Sequence, residues 1–365
     1  MKIAFVGTWG LPARYGGFET CVEEIAPRLV KKGHEVIVYC GYRGLKPQNK
    51  SYKGVQLIYV ASLKNKFLDF PFRAAVSTLD VLTRDVDVVH FYGSDAWPFT
   101  FLPRIMSSKT VLSLDGLVWK RSSYPIWVRK ILRLTAGLAL YFPHVATVDS
   151  KSVQNWYSKN YDKPPIYVPY GANIDLKGFD ETILEKHDLE QKKYVLVVGR
   201  LVYEKGVHYL VEAFREIQTD FKLVIIGSDI YGKEYELLLR KKANGNTRFL
   251  GYIYGKDLEN LLKGAYLYAT ASELEGTSPA LLTAMALGKG VLVSDIPENL
   301  ETIADAGFFF RQGDSEDLKK KLQFLFANPD LVDKIQTKAI DRVREHYSWD
   351  EITDQLEKIY FSLMS

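Results

Sequence analysis

The residues best suited to chemistry follow a short apolar run that ends in glycine. Arg200 and Lys205 lie in the turn Gly199–Gly206, between the run Tyr194–Val198 and an amphipathic stretch. Two cations beside a helix start can hold a diphosphate, because guanidinium, ammonium and the first backbone N–H groups all favour negative charge. The alternative is a solvated basic turn with no ligand.

A second glycine-rich turn lies near the start of the chain. Gly16 and Gly17 open a stretch whose apolar residues recur at helical spacing. Glycine lets backbone N–H groups approach a phosphate without hindrance from a Cβ atom. The loop is too long, and its glycines are wrongly spaced, for the G-x-G-x-x-G motif of dinucleotide-binding enzymes. A glycine turn that simply enters a helix is the alternative.

The third candidate segment, Ala271–Gly288, runs from a strand end through a glycine turn into a helix. The helix is predicted to start near Ser278, and Pro279 suits its first turn because its φ is already helical. Its free N–H groups are expected to face the same way as Gly227. Glu275 precedes this helix, either as a carboxylate favoured by the helix dipole or as an acceptor for sugar hydroxyls.

Strands and helices alternate along most of the chain, which predicts parallel sheets covered by helices on both faces. The predicted strands are Ile3–Val6, Val36–Tyr39, Val86–Phe91, Thr110–Leu114, Val145–Val148, Tyr194–Val198, Leu223–Ile226, Arg248–Leu250, Tyr266–Ala269 and Gly290–Val293. We therefore expect an α/β protein of two Rossmann-like, doubly wound domains, 1–170 and 171–347, facing each other across a cleft. A final helix, 348–365, is expected to pack back onto the first domain.

Composition narrows the class of protein. The chain has 365 residues, 47% of them hydrophobic and 25% charged, as expected of a globular enzyme. Two cysteines, Cys21 and Cys40, exclude a disulfide framework. The sequence starts without a signal-peptide pattern, and no stretch approaches the ~18 apolar residues that span a bilayer. These features predict a cytoplasmic protein that contacts a membrane, if at all, from the inner face.

Charge is distributed unevenly along the chain. Residues 1–170 contain 23 Lys+Arg and 12 Asp+Glu, a net +11, whereas the remainder holds 25 and 32, a net −7. The basic half suits an anionic membrane surface or a lipid-diphosphate acceptor, with ordinary surface variation as the alternative. The basic residues form no recognisable nucleic-acid-binding motif, so no nucleic acid is expected.

These segments together resemble the retaining family-4 glycosyltransferases of the GT-B fold, over nearly the whole chain. GRLVYEKG at 199–206 and EGTSPALLTAMALG at 275–288 are typical of that superfamily. The opening GTWGLPARYGGFET at 7–20, with LDGLVWKR at 114–121, is most similar to bacterial rhamnosyltransferases of surface-polysaccharide assembly. The resemblance implies transfer of a hexose, with rhamnose as the first candidate. The implied donor is a dTDP- or UDP-type nucleotide-diphosphate sugar, and the implied acceptor is a saccharide or a lipid-diphosphate-linked saccharide.

The resemblance also implies residue roles. Ile253 matches the position that stacks on the base, and Glu275 would hold hydroxyls of the transferred sugar. The implied donor-binding residues are Gly16, Gly17, Arg200, Lys205, Gly227, Ile253, Thr277, Ser278, Pro279, Ala280 and Thr283. The family carries a second glutamate eight residues after the first, where it grips the ribose. Thr283 occupies that position here, which predicts weak or altered donor binding.

Asp115 and His90 are the remaining catalytic candidates beside Glu275. Asp115 stands where the family often has a histidine, and it either contacts sugar or acceptor or merely caps a turn. His90 lies near the end of the predicted strand Val86–Phe91, either as a catalytic residue or as a packed one. The sequence Asp85-Val86-Asp87 matches the D-x-D metal motif but starts a strand, at the wrong end of the sheet. We therefore expect neither a metal nor a cofactor.

Two other functions stay open from the sequence. One is nucleotide-sugar epimerisation on a similar fold. The other is a catalytically degenerate homologue that binds a nucleotide sugar without turnover, an alternative that Thr283 raises.

The segment Pro125–Tyr141 predicts a basic, aromatic helix. Its apolar stripe is Trp127, Ile131, Leu134, Leu138 and Tyr141, and its cations are Arg129, Lys130 and Arg133. We expect the apolar stripe to pack against the sheet, as in an ordinary domain helix. The basic residues, with Lys120, Arg121 and the tryptophans Trp119 and Trp127, are expected to contact anionic lipid.

Overall fold

A computed structural model describes residues 1–14, 16–44, 47–65, 68–121, 124–228 and 233–365. Tyr15, which belongs to the opening motif, lies outside the described residues. The chain divides into two compact units. Unit 1 comprises Met1–Lys120, Pro125–Tyr170 and Trp349–Ser365, and unit 2 comprises Arg121–Tyr124 and Gly171–Ser348.

Strands and helices alternate within both units. The strands are β1 Lys2–Val6, β2 Glu35–Tyr42, β3 Ser51–Tyr52, β4 Val55–Ala61, β5 Val88–Tyr92, β6 Lys109–Ser113, β7 Val145–Val148, β8 Ile166–Tyr167, β9 Tyr194–Val198, β10 Lys222–Ile226, β11 Thr247–Gly251, β12 Leu267–Thr270, β13 Gly290–Ser294 and β14 Phe308–Phe310. The α-helices are α1 Gly17–Lys31, α2 Asp69–Val81, α3 Phe101–Ile105, α4 Ile126–Thr135, α5 Leu138–Tyr141, α6 Lys151–Asn160, α7 Thr182–Lys186, α8 Val207–Glu216, α9 Glu234–Lys242, α10 Gly255–Gly264, α11 Pro279–Ala286, α12 Pro297–Ile303, α13 Ser315–Ala327, α14 Pro329–His346 and α15 Trp349–Met364.

The sheet of unit 1 has the order β3-β4-β2-β1-β5-β6-β7-β8. Its strands pair in parallel, except that β3 runs antiparallel to β4. The chain builds outward from β1 through β2, then returns to add β5 on the other side of β1. Loops after β1 and β5 therefore meet where the strand order reverses, the usual ligand position in such sheets.

The sheet of unit 2 has the order β11-β10-β9-β12-β13-β14, with parallel pairings. Here β9 takes the place that β1 has in unit 1, so the strand order reverses between β9 and β12. Val195, Leu223 and Leu292 lie in the apolar core, which the helices cover. The predicted α/β class, with two doubly wound parallel sheets, is confirmed.

Individual predictions differ in detail from the structure. The strand predicted at Val86–Phe91 begins two residues later, and the one at Tyr266–Ala269 is shifted by one residue. The sequence interpretation missed β4, in which Val55 and Leu57 are buried on either side of exposed Gln56, as in a half-buried strand.

The helix predicted at Pro125–Tyr141 is two helices, α4 and α5. The expectation that its apolar stripe packs against the sheet is wrong. Ile131, Leu134 and Tyr141 are exposed, and Trp127 keeps 63% of its surface accessible.

Candidate functional site

Two loops of unit 2 emerge side by side at the carboxyl edge of its sheet. The turn 199–206 follows β9, and the loop 271–278 follows β12, its neighbour across the reversal of strand order. Arg200 and Lys205 lie on the first loop, and Glu275 lies on the second. The fold therefore brings together the three charged residues that the sequence singled out in this half of the chain.

Glycines allow these loops to approach one another closely. Gly206 has a φ of +60°, and a Cβ atom there would overlap the carbonyl oxygen of Ala271. The backbone N–H of Glu273 donates to the carbonyl of Glu204 at 2.8 Å, which joins the same two loops. At Gly227 (φ +135°), a Cβ atom would overlap the carbonyl of Gly199. Larger residues at either glycine would push the loops apart.

An ion pair joins the two loops at their charged residues. Lys205 Nζ donates to Oε1 of Glu275, and Ser272 Oγ donates to the same oxygen at 2.7 Å. The Glu275 side chain is 9% exposed and that of Lys205 is 24% exposed, so both are held but reachable from solvent. A cation suited to phosphate and a carboxylate suited to sugar hydroxyls thus lie in direct contact.

A buried polar network supports Glu275 from behind. Ser272 is fully buried, and its hydroxyl lies 3.1 Å from that of Thr270. Its carbonyl accepts from Ser294 Oγ at 2.5 Å, and the amide of Asn299 donates to Ser294 Oγ at 3.0 Å. Sequence reasoning missed Ser272; the available signal was a serine three residues before the candidate carboxylate, at the end of a strand.

Helix α11 begins four residues after Glu275. Ser278 is its N-cap, with a side chain that accepts from the N–H of Leu281 at 3.5 Å, and Pro279 occupies the first turn, as the sequence predicts. Thr277 and Ser278 are buried, whereas Ala280 is half-buried. The first N–H groups of an α-helix lack partners within the helix and favour anions.

Thr283 lies one turn into α11. Its hydroxyl donates to the carbonyl of Pro279 at 2.8 Å, four residues back along the helix. The proton that a ribose oxygen could accept is therefore committed to the backbone. In this conformation Thr283 can make fewer hydrogen bonds to a ligand than the glutamate expected at this position could.

Ile253 lies further along the sheet than the other unit 2 candidates. It is half-buried in the loop between β11 and α10, and β11 is two strands away from β9. The N–H of Gly227 donates to the carbonyl of Gly251 at 2.7 Å, which joins the ends of β10 and β11. Tyr252 and Tyr254 flank Ile253 with stacked rings whose centroids are 5.8 Å apart.

In unit 1, Gly16 precedes α1 and Gly17 is its first residue. The sequence interpretation missed Glu19, a buried carboxylate in the same first turn that accepts from the N–H of Trp9 at 2.8 Å. Arg73 donates to the carbonyl of Thr8 at 2.8 Å and lies over the Trp9 ring. These contacts fix the loop after β1; donor binding by Gly16 and Gly17 stays a prediction.

His90 is a packing residue, which argues against the catalytic role predicted for it. It is 1% exposed, with Nδ1 2.6 Å from the Tyr360 hydroxyl of α15 and Nε2 2.8 Å from Ser113 Oγ. Burial lowers the pKa of His90 to about 3, so the ring stays neutral at physiological pH. His90 lies in the middle of β5 rather than at its end, and, covered by a helix from the far end of the chain, it has no exposed nitrogen to offer a substrate.

Asp115 lies two residues beyond Ser113, just after β6, and is half-buried. Its backbone N–H donates to Ser94 Oγ at 3.2 Å. The residue is therefore partly accessible, and its catalytic role stays a prediction.

The described residues also bear on metal binding and on membrane spanning. Among the described residues, the structure contains no group of three or more His, Cys, Asp or Glu side chains that could hold a metal ion. Asp87 of the D-x-D sequence accepts from the N–H of Lys2 at 2.7 Å, at the amino edge of the sheet. Within the same described ranges, no helix has the length and apolar character needed to cross a bilayer.

Comparison with known proteins places both halves of the chain in glycosyltransferase families. Residues 15–176 match the family described as Glycosyltransferase Family 4, and residues 179–342 match Glycosyl transferases group 1. An uncharacterized glycosyltransferase of Methanocaldococcus jannaschii is 26% identical over 391 residues, an alignment that covers 99% of this chain and 98% of that protein.

Solved structures agree on the fold. The sucrose-phosphate synthase of Thermosynechococcus elongatus superposes with a TM-score of 0.84 at 18% identity, covering 100% of this chain and 99% of that one. Anabaena HepE, solved in complex with UDP and glucose, superposes with a TM-score of 0.82 at 18% identity. That alignment covers 99% of this chain and 100% of the HepE chain. The comparisons give no support to the epimerase alternative. The chain belongs to the glycosyltransferases of the GT-B fold, with a family-4 N-terminal half and a group-1 C-terminal half.

Proposed function

We propose that this glycosyltransferase takes a sugar from a nucleotide-diphosphate donor of the dTDP or UDP type and transfers it to a saccharide or lipid-diphosphate-linked saccharide. The observation that carries the proposal is the Lys205–Glu275 pair at the reversal of strand order in unit 2. HepE, which shares the fold, was solved with UDP and glucose. The motif resemblance favours rhamnose as the sugar and surface-polysaccharide synthesis as the setting.

The chemistry follows from where charge develops. As the bond between the sugar and the diphosphate breaks, negative charge grows on the leaving phosphate. Lys205, Arg200 and the N-termini of α8 and α11 supply positive potential at that edge of the sheet, in place of a metal ion. Because these groups are fixed by the fold, little reorganisation accompanies the reaction. Glu275 would accept hydrogen bonds from hydroxyls of the transferred sugar.

We infer that the anomeric configuration is retained. The acceptor oxygen forms a bond to the anomeric carbon on the face that the diphosphate leaves, and a donor phosphate oxygen takes the acceptor proton. This route needs no strong protein base, which agrees with the burial of His90. Asp115 is the residue proposed to orient the acceptor hydroxyl.

A second candidate function is nucleotide-sugar binding without turnover. The hydrogen bond from Thr283 to the carbonyl of Pro279 favours it, because this position then contributes no charge-assisted bond to a ribose. Binding of a donor with no release of nucleoside diphosphate under any acceptor would select this alternative.

The test is a panel of nucleotide sugars screened first by thermal shift and then by release of nucleoside diphosphate with saccharide acceptors. A bound donor should raise the melting temperature according to its affinity. Arg200→Ala should nearly abolish release while the protein stays folded. Arg215→Ala, an exposed arginine at the end of α8, is the matched control and should keep its activity. Full activity of Arg200→Ala would overturn the proposed diphosphate site.

A further inference from the structure

We infer that unit 1 docks onto an anionic lipid bilayer through an exposed apolar face, here called the α4 face. It consists of Ile105 of α3, Ile126, Trp127, Ile131 and Leu134 of α4, and Tyr141 of α5. The inference concerns this surface alone and stands apart from the proposed donor chemistry.

The α4 face is unusually exposed for large apolar side chains. Leu134 keeps 80% of its surface accessible, and Ile126 keeps 69%. Arg104 of α3 donates to the carbonyl of Tyr141 at 2.9 Å and to that of Phe142 at 2.7 Å, which ties α3 to α5. The apolar residues of α3 and α5 therefore lie on elements in contact, and two residues separate α4 from α5. Large exposed apolar patches mark interaction sites.

α4 differs from an ordinary surface helix because most of its large apolar side chains face solvent. Its arginines attach it to the unit: Arg129 Nε donates to the carbonyl of Trp119 at 2.8 Å, and the Arg133 guanidinium lies 4.5 Å from the centre of the Trp156 ring. Leu132 also packs against the apolar core of unit 1, whereas Ile126, Trp127, Ile131 and Leu134 face solvent. Such a helix gains free energy when its outer side enters an apolar medium.

The charge around the α4 face favours an anionic lipid bilayer as its binding partner. Residues 116–148 contain five Lys and Arg and no Asp or Glu, and Lys120, Lys130 and Arg133 are exposed around the face. In a bilayer, apolar side chains enter the boundary of the acyl chains while flanking cations meet anionic headgroups. A second copy of this chain fits less well, because two such faces would bring like charges together without a compensating carboxylate from this segment.

The experiment is flotation of the full chain with lipid vesicles, without donor or acceptor. We expect binding to phosphatidylcholine vesicles that contain about one third phosphatidylglycerol, and much weaker binding to phosphatidylcholine alone. The double variant Ile131→Asp/Leu134→Asp should reduce binding roughly tenfold or more. Lys130→Glu should reduce it about fivefold. Leu237→Asp, at a residue that is 63% exposed on α9 of unit 2, is the matched control and should bind as the unaltered protein does.

Three outcomes would overturn the inference. One is the absence of binding to vesicles of either composition, and another is equal binding by Ile131→Asp/Leu134→Asp and the control. The third is a dimer in sedimentation equilibrium that the double variant dissociates while vesicles stay unbound, which would make the face an interface between copies. Circular dichroism verifies that each variant is folded. Donor binding measured in the same preparations keeps a failure of docking distinct from a failure of the proposed function.

Discussion

The two units share a doubly wound topology but differ in what their strands carry. In unit 2, the loops after β9 and β12 present a charged pair, Lys205 and Glu275, that solvent can reach. In unit 1, strand β5 itself, the counterpart of β12, carries a buried cluster around His90, closed by Tyr360 of α15. Topology therefore fixes where a ligand site can form, and the covering elements and side chains decide whether one is available.

Burial explains why the two clusters behave differently. In unit 1, desolvation lowers the pKa of His90 to about 3 and raises that of Cys21 to about 12, so both groups stay neutral. Neutral hydrogen-bonded groups stabilise packing. In unit 2, the ammonium and carboxylate compensate each other in contact, and a ligand that carries phosphate and hydroxyl groups can satisfy both.

The largest effect should come from breaking the charged pair of unit 2. Lys205→Ala removes the cation that we propose contacts the leaving phosphate, and we expect kcat to fall about 100- to 1,000-fold. The matched control is Lys242→Ala, which removes a lysine paired with Glu212 at 2.8 Å in the same unit. Steady-state kinetics on both variants measures the difference. Equal kcat values for Lys205→Ala and Lys242→Ala would show that the charged pair of unit 2 has no role in catalysis.

The next effect concerns the buried cluster of unit 1 and its response to acid. The folded pKa of His90 is about 3, below its ordinary value of about 6.5, so on acidification the unfolded chain takes up a proton first. The contribution of neutral His90 to the free energy of unfolding is fully present above about pH 6.5. It declines as the pH falls towards about 3. Between pH 8 and 5 we expect a loss of about 2 kcal/mol in the free energy of unfolding.

Urea unfolding at the two pH values measures this loss. His90→Gln should lack that part of the pH dependence, whatever its own stability, because glutamine does not titrate. His346→Gln, at an exposed histidine on α14, is the control and should keep the dependence of the unaltered chain. If His90→Gln and His346→Gln lose stability in parallel, His90 is not held neutral by burial, and its dismissal as a catalytic residue fails.

Features that depend on neighbouring residues could be predicted from the sequence. The strands follow short apolar runs, and the start of α11 follows from Ser278 and Pro279, whose preferences act within one turn. That the loops of Lys205 and Glu275 reach the same edge follows from the rule that parallel strands deliver their loops to one edge of the sheet, although the ion pair itself was not predicted. Each of these inferences needs only local preference and a general rule of topology.

Features that depend on distant partners could not be predicted. The burial of His90 is decided by Tyr360, 270 residues later in the chain. The outward turn of the α4 apolar stripe depends on contacts of its arginines with Trp119 and Trp156, which helical periodicity does not report. Periodicity separates the two sides of a helix, but tertiary packing decides which side faces the protein.

The smallest effect tests whether Thr283 limits the donor site of unit 2. A carboxylate at this position can accept two hydrogen bonds from a ribose, whereas the threonine hydroxyl is committed to the carbonyl of Pro279. Thr283→Glu should therefore lower the donor dissociation constant roughly tenfold by isothermal titration, a gain of about 1.4 kcal/mol. Thr283→Ala removes the helix hydrogen bond without adding a carboxylate, so its affinity should stay close to that of the unaltered chain. Tighter binding in Thr283→Ala as well would assign the effect to release of the helix backbone. No gain in Thr283→Glu would mean that the ribose does not reach α11, and the charged site of unit 2 would then hold only the diphosphate and the sugar.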